Sequence, residues 1–116
     1  MTLRPPGKPS ASLWGKTPAG VLDYEIAQET ASALGRHGRA LEAALKALTE
    51  FDADERNDDP AGRARRSSLV AAAGHVLWQF IVQREACGLR DTAMIVRMYR
   101  VPREVQNRMG MLPPVR

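Results

Sequence analysis

Tyr24, Ala27, Ala31, Leu34, Gly38, Leu41, Leu45 and Leu48 recur at intervals that alternate between three and four residues. That alternation is a heptad repeat, and an α-helix is the structure that gathers such positions on one side. Sustained for more than three repeats, it predicts one long N-terminal helix. The start falls at Thr17-Pro18, where a capping hydroxyl precedes a proline whose missing N–H costs nothing. Carried to Phe51, the helix would hold about 34 residues and span roughly 50 Å at 1.5 Å per residue. Asp23, Glu25 and Glu29 lie toward its N-terminal end, where the helix dipole favours acids. Gly35 and Gly38 each cost on the order of 1 kcal/mol relative to alanine in a helix interior. Either the helix kinks there or another element crosses closely, and the small residues Ala31 and Gly38 in the seam favour a crossing.

Around this helix the chain organises itself by composition. Residues 1–18 hold four of the eight prolines and read as a flexible Pro-rich arm, with Leu13-Trp14 expected to pack onto the protein's own helices. Residues 19–110 read as a single helical domain, interrupted by a polar loop over 52–66 that has no apolar residue larger than alanine. Asp52 and Asp54 fit the first two positions of a calcium loop, but Arg56 occupies the third and the turn glycine is missing, so that reading fails. A second helix is predicted from Ser67 or Ser68 to Cys87. Its stripe of Leu69, Val70, Ala73, Val76, Leu77, Phe80 and Ile81 widens through Trp78 and Val82, which implies burial on more than one side. Gly88 suits the left-handed terminating position. Asp91 then caps a third helix over Thr92–Arg100, with Met94, Ile95, Met98 and Tyr99 inward. Val101-Pro102 breaks it, and a short fourth helix through Met109 uses Val105 and Met109 to complete a C-terminal hairpin. Gly110 closes that helix, and 111–116 is a tail. The fold class is all-α.

Composition narrows the function. With 116 residues, 44% hydrophobic and 26% charged, the chain is one small globular domain rather than a disordered segment. Six aromatic residues are few for a β-sandwich or barrel. The single cysteine excludes an internal disulfide and a four-cysteine zinc site. No run approaches a membrane span and no signal core is present, so a cytoplasmic protein without membrane attachment is expected. The net charge of +4 is unevenly spread: +3 over residues 1–18, −6 over 19–60 and +7 over 61–116. The acidic and basic parts either face each other or leave a basic face for a polyanion.

Catalytic chemistry finds little support. His75 and Cys87 are twelve residues apart on one predicted helix, roughly 18 Å at 1.5 Å per residue, and cannot form a nucleophile–base pair. His37, between glycines, faces solvent. No phosphate loop, dinucleotide fingerprint, paired metal-spaced histidines or nucleophile elbow is present. No catalytic, metal or cofactor residue is therefore expected, and no cofactor. The segment from Arg90 to Gly110 superficially resembles a helix-turn-helix, with Arg97, Arg100, Arg103 and Arg108 able to reach phosphates. Three departures weigh against that motif: Arg100 stands at the turn glycine, Val101 to Val105 is one residue short, and Val96 replaces a small residue.

The segments LDYEIAQETASALGRHGRALEAAL and VQREACGLRD…YRVPREVQNRMG resemble a small bacterial family of uncharacterised all-helical proteins, a domain of unknown function. The resemblance covers nearly all of the chain from residue 20 onward. It implies an intracellular all-helical protein with no assigned activity, and it transfers no functional residue.

A core of about 80 residues is small, and a 50 Å seam exceeds what one short neighbour covers. The chain is therefore expected to be a homodimer, joined through Leu34, Leu41, Leu45 and Leu48 with Val76, Trp78 and Phe80 nearby. Its expected role is a non-enzymatic interaction or adaptor module with a possible protein partner. The alternative is a small nucleic-acid-binding regulator using the four C-terminal arginines, a reading that is possible but not favoured.

Overall fold

The computed structural model describes residues 17–110, so the expectations for the arm through Lys16, with Leu13 and Trp14, and for the tail 111–116 lie outside the described residues. Four α-helices follow one another: α1 (Pro18–Asp52), α2 (Pro60–Ala86), α3 (Thr92–Met98) and α4 (Arg103–Arg108), with a 3-10 turn at Glu55–Asn57. No strand occurs among the described residues, and the all-α class holds. The sequence predicts one domain over 19–110. The chain falls into two compact units, one ending at Ala33 and one beginning at Leu34; the long apolar side chains of the first are exposed, and several of the second are buried.

In the first unit, Thr17 caps α1 as its position predicts: its hydroxyl accepts from the Gly20 N–H at 2.9 Å. None of the three acids that follow lies in the first turn, where the dipole acts most strongly. Val21, Leu22, Tyr24 and Ile26 are all exposed.

In the second unit the core joins Leu41 and Leu48 of α1 to Val70, Ala73, Leu77, Phe80 and Ile81 of α2. Ile95, Val101 and Val105 complete it. The α2 positions keep the three–four spacing of one helix face. Gly38 lets this core close. A methyl carbon there would stand 2.8 Å from the Tyr99 hydroxyl and 3.6 Å from Phe80, so the glycine marks a close crossing, with α1 continuous through it. Gly74 does the same for α4, whose Arg108 backbone would lie 3.0 Å from an added methyl carbon. Tyr99 is held in turn by an edge-on contact with Phe80, 5.7 Å between ring centres.

Three details differ from the sequence reading. The polar loop predicted over 52–66 ends early, because α2 begins at Pro60. Asp59 caps it by accepting from the Gly62 N–H at 2.6 Å, and Pro60 takes the first helical position. Asp91 stands at the N-cap of α3 but makes no capping bond; its carboxylate instead accepts from Arg84 Nη2 at 2.8 Å. Met98, predicted to point inward, is 63% exposed.

Two helix ends use the same turn with different residues. After α2, Gly88 (φ 85°) and Leu89 donate to Glu85 and Arg84. After α3, Arg100 (φ 53°) and Val101 donate to Arg97 and Val96. Both are Schellman turns, which need a left-handed residue. Glycine supplies it without strain, whereas Arg100 bears the cost of a Cβ in that conformation.

Candidate functional site

The predicted dimer contacts separate into three groups. Leu41 (0% exposed), Leu48 (3%) and Phe80 (4%) belong to the core of one chain, so their contacts are intramolecular rather than between copies. Leu41 and Leu48 share one core cluster with Val70, Ala73, Leu77, Phe80 and Ile81 of α2. Leu34, Leu45 and Val76 are half-buried against that core. Trp78 alone of the seven is well exposed, at 43%, with His75 stacked beside it at 6.1 Å.

In the first unit four apolar side chains of α1 are exposed. Val21, Leu22, Tyr24 and Ile26 are 39–60% exposed. At 100° per residue Leu22 and Ile26 share one stripe, with Glu25 on one side and Asp23 on the other. Residues 18–33 carry Asp23, Glu25 and Glu29 and no lysine or arginine, a charge of −3.

The second unit contains a groove of about 590 Å³. Glu42, Ala43, Leu45 and Lys46 of α1 form one wall, and Met98 and Tyr99 the other. Tyr99 in that wall also makes the edge-on contact with Phe80 of the core. Arg97 and Arg100 flank Met98 and Tyr99 in sequence and are exposed, as is Arg103 at the start of α4. Arg108 is half-buried with its Cβ near Gly74, so it is turned partly into the α2–α4 contact. None of the four arginines pairs with a carboxylate among the described residues.

The acid–base pairing suggested by the charge asymmetry is carried by other residues. Arg66 on α2 bridges Asp52 at 2.7 Å and Glu104 at 2.6 Å, tying the end of α1 to α4. The hydrogen-bonded guanidinium holds both carboxyls below their usual range. Nothing in the sequence signals this clamp, since its members lie 14 and 38 residues from Arg66. Asp54 is also committed, to the Arg56 backbone and side chain. Cys87 is an exposed free thiol at the end of α2. Among the described residues no group of histidine, cysteine, aspartate or glutamate is placed to hold a metal ion, and no helix is long and apolar enough to cross a membrane.

Residues 14–115 match the family of unknown function DUF6665. The chain belongs to that family. No curated protein and no solved structure matches it. The DUF6665 match spans every described residue, so the exposed start of α1 and the groove beside Met98 both lie within the family's extent.

Proposed function

We propose that this DUF6665 member is a non-enzymatic helical interaction module that associates through the first half of α1, and that it works as a homodimer in the cytoplasm. The observation that carries this reading is the exposure of Val21, Leu22, Tyr24 and Ile26 on one capped helical segment. Apolar side chains grouped in water mark a surface that is covered in the working state. A non-catalytic role is supported by His75 stacking on Trp78 in the middle of α2 and by Cys87 standing twelve residues further on, at the C-terminal end of that helix. The unpaired thiol suits a reducing compartment.

Native mass measurement tests the reading. The wild type is expected at twice 12.8 kDa. Leu22→Asp with Ile26→Asp should return the single-chain mass while helix content stays the same. A wild type that stays single at about 100 μM, far above the micromolar affinities of many weak complexes, would sink the homodimer.

A second reading is favoured by Arg97, Arg100 and Arg103, which are exposed and have no acidic partner among the described residues. It assigns them to nucleic-acid phosphates. Binding of a labelled duplex across a salt series decides it, because each neutralised phosphate steepens the loss of affinity with salt.

A further inference from the structure

Resting on the interaction reading above, we infer that residues 18–33 of one copy dock, as a helix, in the groove between α1 and α3 of a second copy. The groove walls offer Ala43, Leu45, Met98 and Tyr99 as apolar surface, with Met98 63% exposed and so uncovered within its own chain. Leu22 and Ile26, four residues apart, are the anchors that an amphipathic helix presents to such a groove. Charge selects the occupant. Glu42 and Lys46 in the lining cancel, while Arg97 and Arg100, exposed and adjacent in sequence to the lining residues Met98 and Tyr99, give that end of α3 a positive charge. The segment brings Asp23 and Glu25 on either side of its Leu22–Ile26 stripe, Glu29 one turn further along it, and no base of its own. Opposite potentials across a contact favour the encounter and fix its register.

The competing surfaces on a second copy fit less well. Pairing residues 18–33 with themselves sets a charge of −3 against −3. The exposed Trp78–Val82 face belongs to a stretch of α2, Ser67–Gln83, that contains no Asp, Glu, Lys or Arg to answer Asp23 and Glu25.

The test exploits the fact that segment and groove lie on different copies. One variant carries Asp23→Lys with Glu25→Lys, and the other Lys46→Glu with Arg97→Glu. All four positions are exposed. Each variant alone opposes like charges and should associate at least tenfold more weakly than wild type. Mixed, the lysine segment meets the glutamate groove and the native segment meets the native groove, so a mixed dimer should form with near wild-type affinity. In a Cys87→Ser background, Ile26→Cys of one copy should form a disulfide with Met98→Cys of another, in clear excess over the Ile26→Cys self-pair. A dimer that shows no rescue on mixing, or whose Trp78→Cys copies self-link instead, overturns the docking and leaves the interaction reading standing. A wild type without self-association overturns both. Loss of duplex binding in the Lys46→Glu, Arg97→Glu variant, with no change in native mass, overturns the docking and gives the positive end of α3 to nucleic acid.

Discussion

From Leu34 to Asp52, α1 buries Leu41 and Leu48 in the core, while from Pro18 to Ala33 the same helix leaves Leu22, Tyr24 and Ile26 exposed. A single heptad pattern runs through both halves; Tyr24 belongs to it, whereas Leu22 and Ile26 lie on a neighbouring face of the helix. The difference lies in burial: α2 and the Tyr99 turn supply partners for the second half, while Leu22, Tyr24 and Ile26 of the first half are exposed. A heptad states which side chains share a face of the helix. It does not state what covers that face.

The largest test of this contrast is truncation in each half. Leu41→Ala removes a fully buried side chain and should lower unfolding free energy by about 3 kcal/mol. Ile26→Ala should change it by less than about 0.5 kcal/mol under conditions where the chain is monomeric. Urea denaturation measures both, and equal losses would erase the distinction. A smaller effect separates the two glycines of α1. Gly38→Ala drives a methyl group toward the Tyr99 hydroxyl and should cost about 1–3 kcal/mol. Gly35→Ala meets only the flexible end of Arg39, 3.2 Å away, and should gain up to about 1 kcal/mol of helix propensity.

The turn that positions Tyr99 gives the next step. Arg100→Gly relieves a left-handed residue bearing a Cβ and should stabilise the second unit by about 1 kcal/mol, read as a higher Tm. The smallest effect comes from the clamp at the end of α1. Arg66→Ala should cost no more than about 1 kcal/mol at neutral pH, because its partners are nearly half exposed. Its pH dependence is more telling. Asp52 and Glu104 titrate below their ordinary values of 3.8 and 4.5, so their contribution is complete above those values. It is lost as pH falls through the lowered folded values. Urea midpoints between pH 6 and 3 should fall on the acid side, and less steeply in Arg66→Ala.

Much of the fold was legible because it rests on local chemistry. Thr17-Pro18, Gly88 and Val101-Pro102 mark ends through caps, left-handed turns and missing donors, and the α2 core positions follow helical spacing. The start of α2 was missed although Asp59-Pro60 is the same kind of signal as Thr17-Pro18. The cause is that residues 60–66 hold nothing larger than alanine among their apolar side chains, so periodicity is silent there. The candidate site was legible only as parts, namely an acidic helix start and a set of C-terminal arginines.

By itself, then, the sequence determined that the chain is helical, where most helices stop and which residues share a face, because caps, turns and periodicity act within a few residues. Tertiary structure alone decided that Leu41, Leu48 and Phe80 face inward within one chain, that Arg66 rather than the C-terminal arginines answers the acids, and that Met98 borders an open groove. Those outcomes depend on which elements meet across long separations, and no local preference encodes that.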